Sequence, residues 1–198
     1  MVPRGYTTRD VGARLTTFAY RARMPDRRVR QSRERLHQAL VALILESGWD
    51  RVSVQAICAR ARLGRSTFYV HFADKEDLLV GGLEHLRDDL RRRRGDEPFG
   101  FVAGLIDHAE QSRRLFRAVI GKRSGLAVQR RFREIVGQLM TEDLRAQGLV
   151  EPALAITSRF LSGALVELLL AWVETKELVS AREVERQFVR LARPVVKT

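Results

Sequence analysis

From Gln31 onward the apolar positions fall one helical turn apart. Leu36, Leu40, Leu43 and Ile44 recur at i, i+4, i+7 and i+8, with Arg33, Glu34, His37 and Glu46 between them, which is the pattern of an amphipathic helix. Gly48 is its predicted C-terminal cap, because glycine enters the left-handed conformation that ends helices without a Cβ clash. Ser53 then opens a short second helix in which Val54, Ile57, Cys58 and Ala61 repeat the spacing. A break at Arg62-Leu63-Gly64 separates it from a third short helix over residues 65–71, which sets Phe68 and Phe72 one turn apart. Asp74 caps a longer fourth helix carrying Leu78, Leu79, Leu83, Leu86 and Leu90.

Pro98, between Gly95 and Gly100, breaks the chain again. Further helices are predicted over residues 101–113, 114–120 and 125–147, the last with Val128, Phe132, Ile135, Val136 and Leu139 on one face. Pro152 starts a long helix to residue 176, and Ser180 caps a final one with Val184, Phe188, Leu191 and Ala192. No segment alternates as a strand does, so the expectation is an all-α fold of about nine helices. Two short helices behind a supporting one are the parts of a helix-turn-helix. They define an N-terminal three-helix head over residues 30–77, followed by a helical body over residues 78–198. Residues 1–29, interrupted by Gly5, Gly12 and Pro25, show no period and are expected to form a flexible basic tail.

Charge sharpens this picture. The chain has 198 residues and a formal net charge of +12, which suggests a polyanionic partner. Residues 1–35 hold ten Arg against Asp10, Asp26 and Glu34, whereas residues 95–198 hold 16 basic and 13 acidic side chains. The excess lies at the front. A single cysteine, Cys58, excludes an internal disulfide and fits a reducing compartment, so a cytoplasmic location is expected. No metal site and no cofactor are predicted. The most apolar stretch, residues 160–173, contains Glu167 and falls short of the ~20 residues that span a bilayer, so membrane insertion is not expected. His37, His85 and His108 have no nucleophile or carboxylate at a catalytic spacing, and an enzyme is not expected either.

The third helix carries the candidate chemistry. If Phe68 points inward, a 100° turn per residue places Ser66 and Val70 opposite it, with Thr67 and Tyr69 on the flanks. Small and hydroxyl side chains admit a close approach to base edges in a major groove; Val70 can meet a thymine methyl and Tyr69 can donate to a phosphate. Arg65, opening the helix, suits a bidentate contact to guanine. The rival reading is a basic helical protein that coats nucleic acid or an anionic membrane surface without sequence preference.

Residues 52–79, VSVQAICARARLGRSTFYVHFADKEDLL, resemble the head of the TetR/AcrR family of transcriptional regulators. Tyr69, His71, Phe72, Lys75, Glu76 and Leu78 match its signature together in type and spacing. The resemblance implies a ligand-responsive repressor that binds a palindromic double-stranded DNA operator as a homodimer and answers to a small-molecule effector whose identity is unknown. It further implies that Ser53, Tyr69, His71 and Lys75 hold phosphates, while Arg65, Ser66 and Thr67 meet the major groove. Basic residues just before the first helix, Arg27, Arg28, Arg30 and Arg33, are expected along the backbone or in the minor groove. Where the family usually has Gly and then Ser or Thr, this chain has Arg62 and Gly64.

In the body, residues 160–173 are apolar nearly all round and need cover on two sides. The resemblance supplies the second cover by pairing the last two long helices with their copies. Leu161, Leu165, Leu168 and Trp172, with Val184 and Phe188 beside them, form the expected dimer stripe. Candidates for an effector pocket are Phe101, His108, Phe116, Phe132, Met140 and Trp172.

Overall fold

The computed structural model describes residues 27–95, 97–119, 126–175 and 179–196. Most of the expected basic tail, residues 1–26, lies outside them. The described residues form α1 (Arg27–Ser47), a short 3-10 turn (Trp49–Arg51), α2 (Val54–Ala61), α3 (Arg65–His71), α4 (Lys75–Arg93), α5 (Gly100–Gln111), α6 (Arg113–Val119), α7 (Leu126–Ala146), α8 (Ala153–Glu174) and α9 (Ala181–Val196). Among them no strand occurs.

Residues 27–29, expected in the tail, belong to α1. Arginine loses little rotamer freedom in a helix, so a basic segment without apolar periodicity can still be helical. The caps follow their residue types. Gly48 takes φ 82° and its N–H returns to the Ile44 carbonyl at 2.9 Å. Ser53 Oγ accepts from the Ala56 N–H at 3.1 Å. Asp74 Oδ1 accepts from the Asp77 N–H at 2.8 Å while Asp77 Oδ2 accepts from the Ala73 N–H at 2.9 Å, a reciprocal clamp on the start of α4.

In the head, Leu36, Leu40 and Ile44 of α1 close over Ile57, Cys58 and Ala61 of α2, Phe68 of α3, and Phe72, Leu78 and Leu79. The α4 helix then runs from head into body, where Leu86 and Leu90 join the apolar faces of α5, α7, α8 and α9. Arg91 binds Glu142, and Arg131 binds Glu84, so ion pairs tie α4 to α7 along its length. Asp89 takes both Arg92 and Arg93, which places part of the arginine run at 91–94 in service of the helix's own end. A second junction was not expected: α6 packs against α1 as well as α8. On α6, Arg113 donates to the carbonyls of Trp172, Val173 and Thr175, and Arg117 to those of Val173 and Glu174. Together they close the C-terminal end of α8, whose last carbonyls have no partner within the helix.

The length argument against a membrane span does not survive, because α8 is 22 residues long and by length and composition alone would suffice to cross a bilayer. Packing accounts for one side of it: Leu154, Leu161, Leu165, Val166, Leu169, Trp172 and Val173 are buried in the body.

That same packing corrects the expected dimer stripe. Leu161, Leu165, Trp172, Val184 and Phe188 are buried within the chain, and Leu168 is half-buried. The exposed side of α8 carries Ile156 and Phe160, 68% and 63% exposed, followed by Gly163, Ala164, Glu167 and Ala171. Leu191 and Val195 are exposed on α9. A helix that is apolar all round gives the sequence no way to choose between its two faces.

Candidate nucleic-acid interface

The two short helices are fixed from below. Phe68 is fully buried, Phe72 nearly so, and their rings lie 5.9 Å apart in the core of the head. With Phe68 as the pivot, α3 turns its other side outward: Tyr69 is 53% and Val70 77% exposed, and Arg65 and Ser66 are exposed with them. Thr67 is half-buried. The cap Ser53 lies exposed at the start of α2. A tyrosine and a valine thus stand in water beside a fully buried phenylalanine.

Between α2 and α3 the chain turns at Arg62, which holds φ 53° and ψ 48°. Its N–H bonds the Ala59 carbonyl at 3.2 Å and the Leu63 N–H bonds that of Cys58 at 3.0 Å, the paired bonds of a Schellman ending. From α1, Arg35 Nη2 donates to the Ala61 carbonyl at 2.5 Å and the Arg62 carbonyl at 3.5 Å. Arg60 is held at both nitrogens by Glu46. Sequence reasoning missed Arg35, because nothing near it in the chain signals a contact 26 residues away.

Two expected phosphate ligands have other posts. Lys75 Nζ donates to the carbonyls of Trp49 at 3.0 Å and Val52 at 2.9 Å, and stands 4.6 Å above the Trp49 ring. The lysine thus satisfies the 3-10 turn that leads into α2, rather than projecting with α3. Arg33 stacks its guanidinium 5.0 Å from the Phe72 ring, with Nε buried. His71 is half-buried behind this pair, and burial together with the Arg33 charge pushes its imidazole below the usual histidine range. Arg27, Arg28 and Arg30 are exposed along the first turn of α1.

The six pocket candidates fall inside the body: Phe101, Phe116, Phe132, Met140 and Trp172 are buried, and His108 is half-buried. Phe116 meets both Phe132, at 5.5 Å between ring centres, and His108, at 6.0 Å. Trp172 is engaged elsewhere, donating from Nε1 to the Val179 carbonyl at 2.8 Å under the Arg113 guanidinium. Among the described residues no cluster of three or more His, Cys, Asp or Glu could hold a metal ion.

The family model of bacterial regulatory proteins of the tetR family matches residues 36–80, the stretch from the middle of α1 to the start of α4. Over 78 residues the chain is 32% identical to the HTH-type transcriptional regulator YvdT of Bacillus subtilis strain 168. Over residues 36–80 the chain carries the head of the TetR family of bacterial regulatory proteins. The YvdT match spans 37% of this chain and 40% of that relative's length. Across the rest, similarity is one of fold. A TetR transcriptional regulator from Streptococcus agalactiae 2603V superposes with a TM-score of 0.64 at 23% identity, covering 84% of this chain and 96% of that one. NalD of Pseudomonas aeruginosa, the secondary repressor of a multidrug efflux pump, gives 0.58 at 19% identity over 83% and 95%. The TetR-family head is therefore the part recognisable by sequence, and the body the part recognisable by shape.

Proposed function

We propose that this protein is a transcriptional regulator that binds a palindromic double-stranded DNA operator as a homodimer and responds to a small-molecule effector, acting in the cytoplasm and without enzymatic activity. The observation that carries it is the outward face of α3: Arg65, Ser66, Tyr69 and Val70 stand in solvent above a fully buried Phe68. A helix held so rigidly from behind can enter a major groove, with Arg65 toward guanine, Val70 toward a thymine methyl and Tyr69 toward a phosphate. Thr67 and Ser53 flank this face, and Arg30 extends the basic surface along α1.

The homodimer is supported by the exposed Ile156, Phe160, Gly163, Ala164 and Ala171 face of α8, which has small residues where two helices would cross. For the effector we favour the ground around His108. Its imidazole is held neutral by burial, with a pKa lowered to about 4, and the Ser112 hydroxyl one turn on is buried without a partner. Both suit a polar, aromatic-packing compound. An effector that binds one arrangement of the body better than another would reach the heads through α4, and through α6 where it touches α1. We take the regulator to be a repressor. NalD is a secondary repressor, and another chain of similar shape, DhaS, is an operon activator, so a reporter assay decides the direction.

The test is selection of duplexes from a randomised pool by the purified protein at fixed salt. Enrichment of an inverted repeat with half-sites about one helical turn apart, or slightly more, is expected. Arg65→Ala should then cost ~1–3 kcal/mol on the enriched duplex and leave the dimer intact. Recovery of no common sequence would favour non-specific coating instead.

A further inference from the structure

Arg62 occupies the one backbone position in the head turn that least suits it. Its φ of 53° and ψ of 48° are left-handed, where a Cβ crowds the backbone and glycine is preferred. The conformation is enforced from three sides: by the Ala59 and Cys58 carbonyls that close the end of α2, by Arg35 holding the Ala61 and Arg62 carbonyls, and by α3 starting three residues later. The side chain gives nothing back inside the protein. Arg62 is exposed, and no hydrogen bond, ion pair or ring contact of the described residues involves its guanidinium. Its neighbours differ: Arg60 is bound by Glu46, and Arg35 by backbone carbonyls. Only Arg65, also exposed and without a hydrogen bond or ion pair, shares its state among the arginines on α2, the turn and α3.

We propose that Arg62 is a phosphate-binding residue of the DNA interface, kept in the turn at the expense of backbone strain, and that Arg35 positions it. The inference rests on the DNA-binding reading above. It divides the work at the mouth of α3: Arg65 reads a base edge, while Arg62 neutralises the backbone beside it and releases a counterion. Arg62 then contributes affinity without sequence preference.

The experiment compares wild type, Arg62→Gly and Arg62→Lys on two probes, the duplex enriched by wild type and a scrambled duplex of equal composition, across a salt series. Arg62→Gly relieves the strain and removes the charge. It should raise the melting temperature by ~2–4 °C, weaken binding to both duplexes by a similar factor of roughly three to ten, and flatten the salt dependence by about 0.9 per head. Arg62→Lys keeps charge and strain, and should stay close to wild type in melting and in slope. Equal affinity and slope for wild type and Arg62→Gly at every salt concentration would overturn the proposal, whatever the melting temperature does. Failure of wild type to enrich any duplex is a separate result, and would overturn the DNA-binding reading itself.

Discussion

At the scale of single residues, the head is held by cations pointing inward as much as by its apolar core. Lys75 and Arg35 each spend their charge on backbone carbonyls at the ends of short helical segments. Such carbonyls are costly when left without a partner away from water, and a charged donor satisfies them more strongly than a neutral one. Arg35→Ala is accordingly expected to destabilise the protein by ~1–2 kcal/mol, the worth of a charge-assisted bond in a partly buried setting. In a chain of this length that lowers the melting temperature by about 2–8 °C. Scanning calorimetry checks it: a melting temperature within one degree of wild type would show that Arg35 is an ornament of the surface. Arg35→Lys tests geometry apart from charge, since a single ammonium reaches one carbonyl less rigidly than a guanidinium fork reaches two.

At the scale of elements, α1 and α4 cross at a pair of glycines, and the two do different things. A Cβ on Gly81 would meet Phe72 at 3.6 Å and Arg33 at 4.0 Å, ordinary contacts, whereas one on Gly82 would overlap the His37 imidazole. Gly81→Ala should therefore raise stability by up to ~1 kcal/mol through helix propensity. Gly82→Ala should lower it by ~1–3 kcal/mol, because the His37 ring must shift to admit the methyl group. Urea midpoints that move in the same direction for both variants would show that the crossing is looser than the packing implies. This is also where the sequence stops being legible. Helix ends were readable because Gly48, Ser53 and Asp74 act on their own neighbours, and α3 was readable because Phe68 and Phe72 sit on one turn. The Gly81-Gly82 slot, the α6 contact with α1 and the choice of face on α8 depend on residues distant in the chain, and no local period encodes them. For the same reason Lys75 could be placed at the start of α4 but not aimed, and Leu161 and Leu165 could be put on one stripe but not on the inner one.

Across the whole molecule, the junction of head and body brings together three half-buried histidines. His37 of α1 faces Gly82 and His85 of α4 and feels His108 of α5; burial, then the His85 and His108 charges, lower its pKa to about 4. His108 is lowered to about 4 by burial, against an opposing pull from Asp89 of α4. His85 itself is bonded at Nδ1 to the Gly81 carbonyl at 2.5 Å. Both lowered imidazoles bind a proton less readily folded than unfolded, where the ordinary value is 6.5. Their contribution to stability is thus complete above about pH 6.5 and is lost as pH falls toward 4. At pH 5 the loss is of order 2 kcal/mol for each imidazole if fully enclosed, and less because both residues keep some contact with water. Asp143 works the other way: burial raises its carboxyl above the usual range despite the bonds from the Phe99 N–H and Gln147, so its protonation in acid favours the folded state. The two histidines begin to cost stability as soon as pH falls below the ordinary 6.5, where the unfolded chain takes up their protons, and Asp143 opposes them. Urea unfolding between pH 7.5 and 5 should show wild type losing a few kcal/mol, with His108→Gln losing visibly less over the same interval. A pH-independent midpoint in wild type would mean that water reaches both imidazoles, and that the wall between head and body is open in solution. If an effector acts on the heads through α4 and α6 as proposed, that wall lies on its path, and the same protons should oppose any arrangement in which α1, α4 and α5 close tightly. Operator affinity measured on the enriched duplex over this range is then expected to change with a midpoint that His108→Gln displaces.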